Sequence, residues 1–193
     1  GLIEAFEQDK PIIFFMNPPY ARNTGDGILA GTRESVCKTM INEVMLEEGI
    51  GACSANLYAQ FIYRCMTIKQ YYNLTNCNIC LFCKPSYMSS PSYKQFRSVF
   101  LDEFHYESGI LFNASHFDDC SDKWGISFAI WTNGKETRNS FNHLLIDMKE
   151  SGISVLGNKE IYNIDNVKTG NEWASSGKKG EIEFPPLSSG IKL

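Results

Sequence analysis

Apolar positions along this chain fall into short runs whose period switches between about two and about three and a half. That alternation predicts strands interleaved with helices, and so an α/β fold. Residues 11–16 are apolar throughout and read as a strand. Thr32 to Glu48 reads as an amphipathic helix, with Val36, Met40, Ile41, Val44 and Met45 on one stripe, ended by Gly49-Ile50-Gly51. A second helix follows from Asn56, with Leu57, Phe61, Ile62, Cys65 and Met66 on one stripe and Ser54 or Asn56 as its cap. Asn78 to Lys84 is a buried strand stopped by Pro85, and Tyr93 to Leu101 is a short helix. Ile110-Leu111-Phe112 and Gly125 to Trp131 are strands separated by a polar loop, and Asn133-Gly134 is a turn. His143 to Met148 and Ile153 to Leu156 form a hairpin, and the chain turns polar from Thr169.

Composition narrows the class. The 193 residues suit one domain with an appendage, and 43% hydrophobic residues with 13 Phe and 9 Tyr suffice for a sizeable core. No stretch has the length of a membrane span and no secretory signal is evident. The net charge of −4 weighs against a chain that grips nucleic acid unaided. Seven cysteines, an odd number in apolar or helical contexts, fit a reducing cytoplasm better than a disulfide scaffold. Cys77, Cys80 and Cys83 have the spacing of a metal–sulfur motif, but a strand points Cys80 away from the other two, so no metal is expected. His105, His116 and His143 show no ligand spacing and read as solvated or satisfied side chains. The Asp118-Asp119 pair reads as a solvated loop, because metal-dependent chemistry needs carboxylates that converge from separate elements.

The candidate chemistry lies where the first strand ends, in Asn17-Pro18-Pro19-Tyr20. An exocyclic amine on a heteroaromatic ring is a poor nucleophile, because its lone pair is delocalised into the ring. A site that methylates it must hold both amine hydrogens on acceptors and favour a pyramidal nitrogen. The Asn17 side-chain oxygen is one acceptor and the Pro18 carbonyl can be the other. Two prolines stiffen the turn by fixing φ and removing two backbone donors. Tyr20 offers a flat face on which a base can stack.

This turn resembles that of the N6-adenine DNA methyltransferases of restriction–modification systems. Two further segments match in order: Asn56-Leu57-Tyr58-Ala59-Gln60-Phe61, and Asn78-Ile79-Cys80-Leu81-Phe82-Cys83-Lys84-Pro85. The resemblance covers about residues 11 to 133. It implies a Rossmann-like, S-adenosylmethionine-dependent methyltransferase fold, of which this chain holds only the later strands and helices. It implies catalytic roles for Asn17, Pro18, Pro19 and Tyr20, and cofactor contacts from Pro19 and Phe61. A core position is the other reading of Phe61, and one ring can serve both. A flipped adenine of DNA would be sandwiched between Tyr20 and Phe117, with Phe112 or Trp124 as alternatives to Phe117. No covalent intermediate is needed, so no cysteine nucleophile is expected.

The family's Gly-rich cofactor turn, and the acidic residue that closes its second strand, would both precede Asn17 in this motif order. Residues 1–7 hold no such unit, and Gly25 to Gly31 follows the catalytic turn, where it reads as a flexible loop beside the target site. The expected division is therefore residues 1–140 as the catalytic half of a methyltransferase domain and 141–193 as a hairpin and polar linker toward a target-recognition region. A cofactor half would come from elsewhere. Alternatives are a methyltransferase of rRNA or of a protein glutamine, where the same tetrapeptide occurs, and an inert half-domain needing a partner.

Overall fold

The computed structural model describes residues 1–20, 39–117, 124–149 and 151–163. The Gly-rich stretch, the first part of the helix expected from Thr32, the Asp118-Asp119 pair and the polar tail lie outside the described residues. In chain order the elements are α1 (Leu2–Glu7), β1 (Ile12–Met16), α2 (Met40–Glu47), α3 (Leu57–Tyr72), β2 (Cys77–Cys83), α4 (Ser86–Ser89), α5 (Lys94–Glu103), β3 (Phe104–Asn113), β4 (Gly125–Asn133), β5 (Ser140–Lys149) and β6 (Gly152–Tyr162).

The strands form one six-stranded mixed sheet in the order β1-β2-β4-β3-β5-β6. β1 and β2 are parallel, with Ile12 opposite Cys77 and Met16 opposite Leu81. Their connection carries α2 and α3, as a parallel pair requires a long crossover. β4 enters between β2 and β3 and runs antiparallel to both. β5 lies parallel to β3 and antiparallel to β6, so the expected hairpin is the far edge of the same sheet.

Strand periodicity decides which residues are inside. Cys77, Ile79, Leu81 and Cys83 of β2 are all buried, while the residues between them are half-buried. Cys80 therefore faces away from Cys77 and Cys83. The buried side chains of α1, α3, α4 and α5 share one core cluster with the inward face of β2, and with Trp131 of β4 and Phe104 and Tyr106 of β3. Phe96, Phe100 and Phe104 stack in series at 5.8 and 5.4 Å. Trp131 is wholly buried, and its indole N–H donates to the Tyr87 hydroxyl at 2.9 Å, so its one polar group is satisfied. Burial raises the thiols of Cys53 and Cys77 to about 11 and that of Cys65 to about 12, which suits inert packing groups.

The opposite face of the sheet is thinly covered. Ile13 and Phe15 of β1 are 64% and 68% exposed. Phe15 meets Phe82 at 6.2 Å and Phe128 at 6.0 Å, and both of these rings are themselves only half-buried. A smaller cluster of Phe112, Ala114, Ile126 and Ile146 occupies the other end of this face, with Tyr20, Phe117 and Trp124 packed against it.

Several expectations need correction. α2 begins at Met40, because Thr39 is extended (φ −102°, ψ 156°) and its hydroxyl caps the helix by accepting from the Asn42 N–H at 3.1 Å. Met40 is 82% exposed and leaves the predicted stripe, whereas Met45 is fully buried. Neither predicted side chain caps α3: Asn56 stands at the N-cap without a side-chain bond, and Ser54 contributes its backbone carbonyl to Asn42 and Gln60. Phe61 is 48% exposed, so it is not a core residue. Of the two readings of His143, solvated or satisfied, burial excludes the first, and the second holds at one ring nitrogen. The ring is fully buried, with Nδ1 3.2 Å from the Phe141 carbonyl and 3.3 Å from the Tyr106 hydroxyl, and its Nε2 has no partner among the described residues.

Candidate active site

The turn expected to carry the chemistry follows β1 at its carboxyl end, where open α/β sheets place their ligands. Asn17 and Pro19 are exposed, Pro18 is buried and Tyr20 is half-buried. The Tyr20 hydroxyl donates to Asn17 Oδ1 at 2.9 Å, closing the turn over the two prolines. This bond holds the Asn17 amide in place against the Tyr20 hydroxyl. The tetrapeptide alone does not disclose it, although an i, i+3 spacing across a Pro-Pro turn makes it sterically accessible.

The Tyr20 ring packs against both apolar clusters and meets Trp124 edge-on, at 5.7 Å and 82°. Phe117 lies elsewhere in the smaller cluster, stacked on Phe112 at 5.8 Å and edge-on to Phe82 at 5.9 Å. The structure thus brings Tyr20 and Phe117 to one cluster, but among the described residues the ring set against Tyr20 is Trp124. One of the named alternatives, Phe112, is almost fully buried beneath Phe117.

A cavity of about 360 Å³ opens beside the turn, within the usual range for small-molecule sites. Tyr20, Asn56, Tyr58, Lys84, Ser86 and Tyr93 are among its lining residues. α3 supplies Asn56 and Tyr58 because its N-terminus abuts the turn that follows β2. Tyr58 and Ser86 share a hydroxyl–hydroxyl bond of 2.9 Å, and the Tyr93 hydroxyl donates to Tyr58. Burial is the main reason the Tyr58 and Tyr93 hydroxyls are raised, so both stay protonated and remain donors. Phe61 lies one turn into α3 beyond Leu57, with its ring half in solvent.

The residues that sequence reasoning missed are Lys84, Ser86 and their neighbours after β2. Their signal is a run of four serines (Ser86, Ser89, Ser90 and Ser92) following a strongly apolar strand. Among the described residues, no group of three or more His, Cys, Asp or Glu is placed to hold a metal ion, and no helix is long and apolar enough to cross a membrane.

No family model matches this chain, and no curated protein matches it. Among solved structures it is similar to a modification subunit assigned to a type I restriction enzyme from Vibrio vulnificus YJ016, with a TM-score of 0.46 and 13% identity over 90% of this chain and 32% of that one. It is also similar to DrdV in its complex with DNA, with a TM-score of 0.48 and 13% identity over 81% of this chain and 18% of that one. A further likeness is to the ATP-dependent type ISP restriction–modification enzyme LlaBIII bound to DNA, with a TM-score of 0.41 and 14% identity over 75% and 10% of the two chains. The chain spans about a third or less of the length of each.

Proposed function

We propose that this chain is the catalytic half of an S-adenosylmethionine-dependent methyltransferase of restriction–modification type, acting in the cytoplasm on the N6 amine of adenine in DNA. The observation that carries this reading is the exposed Asn17 oxygen, held by Tyr20 at the carboxyl end of β1 beside an aromatic, hydroxyl-lined cavity. The matching order of the three segments in sequence supports it. Residues 1–140 are the catalytic half, and the rest of the chain leads toward a target-recognition region.

In this mechanism Asn17 Oδ1 and the Pro18 carbonyl accept the two amine hydrogens of an adenine extruded from the duplex. Held this way, the nitrogen withdraws its lone pair from the ring and directs it outward. Tyr20 stacks on the extruded base, with Phe117 or Trp124 as the second ring. S-adenosylmethionine, when bound, supplies an electrophilic methyl group. Of this chain's residues, Pro19 and Phe61 are the ones to hold it. Both are exposed, and Phe61 presents a flat apolar ring suited to a purine. The remaining contacts to the cofactor are assigned to a further, cofactor-binding half of the domain. The exposed apolar face of β1, with Ile13 and Phe15 outward, offers that half a surface, since a strand as apolar as Ile12–Met16 is typical of sheets covered on both sides.

The test is base extrusion by the complete enzyme. A duplex carrying 2-aminopurine at the target should brighten on binding, because unstacking raises its fluorescence, and a Tyr20→Ala, Trp124→Ala, Phe117→Ala triple variant should lose the rise. Wild-type protein that brightens no duplex, but methylates rRNA or a protein glutamine, would replace the DNA reading with one of those substrates.

A further inference from the structure

Lys84 sits just beyond the last residue of β2, and its ammonium stands 4.0 Å above the Trp124 ring. That is within cation–π range, so the ring fixes the charge in place. Trp124 in turn stands edge-on to Tyr20. Among the described residues no carboxylate forms an ion pair with Lys84, whereas Lys69, Lys135 and Lys149 each have one. Lys84 is thus a positive charge of set position, one ring away from the proposed base site, with its charge available to an anion.

Lys84 and Ser86 also form the wall between two cavities. One is the 360 Å³ space beside Tyr20. The other, of about 510 Å³, runs from Trp124 across to β6, where Lys159 and Tyr162 close it. Ser90 and Ser92 line the first cavity and Ser89 the second. The two spaces lie side by side and make a track with serine hydroxyls about its middle, an apolar wall of Leu111, Trp124 and Ile161 in its second part, and a lysine at its middle and its far end. Among the described residues, Glu160 is the one acidic residue on this track. Its carboxylate accepts from the Ser140 hydroxyl at 2.7 Å and the Tyr162 hydroxyl at 2.9 Å, so both of its oxygens are engaged.

Resting on the DNA reading, we propose that this track seats the sugar–phosphate backbone of the strand bearing the extruded base, with Lys84 on the phosphate flanking that base and Lys159 on a phosphate further along. A net-negative chain needs such local placement of positive charge. An ammonium held by an aromatic ring beside a stacking surface combines the two means by which proteins hold a single strand: charge for the backbone and flat rings for the bases.

The complete enzyme tests this through the salt dependence of duplex binding. Each phosphate neutralised contributes about 0.9 to the slope of log K against log salt on B-form DNA, falling to about 0.7 on single strands. Lys84→Met should lower the slope by roughly one contact and weaken binding on the target duplex, with a smaller effect on non-target duplexes, while Lys84→Arg should restore both. Lys159→Met, on the exposed far wall, should take away a second contact, and Lys10→Met, at the far end of β1, should change neither quantity. Wild-type slope in both Lys84→Met and Lys159→Met would overturn the track while leaving the methyltransferase reading intact. Wild-type protein that binds no duplex would overturn both.

Discussion

Replacing Asn17 by alanine removes the acceptor oxygen from the turn while leaving Pro18, Pro19 and the strand pairing of β1 in place. Asn17 is exposed, and among the described residues its one side-chain bond is the 2.9 Å contact from Tyr20, so the folded state loses little. The effect falls on the transition state, where the nitrogen pyramidalises and its hydrogens need an acceptor already in position. Preorganised groups of this kind are worth about 2.7–4 kcal/mol in other enzymes, a loss of roughly 10²–10³ in kcat. Tyr20→Phe is the internal comparison. It keeps the stacking ring and deletes only the donor that orients Asn17, a bond worth about 0.5–1.5 kcal/mol and nearer the low end in solvent, so kcat should fall roughly two- to threefold. Single-turnover methyl transfer to a target duplex by the complete enzyme, with duplex affinity measured alongside, separates the two effects. Asn17→Ala should retain near wild-type affinity and lose at least a hundredfold in rate. A rate within a few-fold of wild type, or an equal loss in both variants, would remove Asn17 from the catalytic step.

Three further outcomes follow from the same geometry. The buried Glu136 carboxylate accepts N–H bonds from Tyr106 and Arg138 at 2.8 Å and from Thr137 at 2.9 Å. Burial alone would raise this group, but the Arg138 guanidinium and the backbone donors outweigh it and hold it at about 2. A carboxyl lowered on folding stabilises the protein above its unfolded value near 4.5, and that stability drains away as pH falls from there toward 2. Glu136→Gln should therefore cost about 2–3 kcal/mol in denaturant unfolding at pH 7 and much less at pH 3, whereas an equal cost at both would show that the charge is immaterial. Gly109→Ala would set a Cβ 2.7 Å from the Tyr106 hydroxyl and 2.8 Å from the His143 ring, so thermal unfolding should show a loss of about 1–3 kcal/mol, and an unchanged midpoint would mean that His143 yields. Phe61→Ala should leave folding nearly untouched, since the ring is half exposed, and should raise KM for S-adenosylmethionine with kcat preserved at saturation, whereas an unchanged KM would leave the ring without a cofactor role.

Much of the fold was legible because its elements are strongly periodic. β2, with every second residue buried, and β4 lie within a residue or two of their predicted spans, while the β5–β6 hairpin turns at Gly152 as expected but has longer arms, β5 starting three residues earlier and β6 running six residues further. What was not legible depended on contacts distant in sequence. Nothing local in Gly125–Asn133 says that β4 runs between β2 and β3 rather than beside them. β3 begins at Phe104 directly after α5, and its polar early residues and the irregularity between Tyr106 and Ser108 hid all but Ile110 to Phe112. A helical stripe likewise cannot tell which residue lies at its margin, so it does not show that Met40 is exposed, nor does it decide between the core and cofactor readings of Phe61. At the site, the turn itself was readable from Asn17 to Tyr20. The bond inside it, the ring of Trp124 and the charge of Lys84 were not, because each needs the carboxyl ends of β1 and β2 brought side by side.

The same placement bears on how a divided enzyme would work. The turn Asn17–Tyr20 hangs from β1, which is paired on one side only among the described residues, and Ile13 and Phe15 remain exposed. Yet the turn does not depend on that open side for its shape. Pro18 is buried, Tyr20 packs into both apolar clusters, and the Tyr20–Asn17 bond is internal to the tetrapeptide. The acceptor that the chemistry needs is therefore set by this chain's own residues. Covering the exposed face of β1 would supply the cofactor's remaining contacts without having to reshape the acceptor, so in the proposed mechanism assembly of the two halves controls cofactor affinity more than the orientation of Asn17.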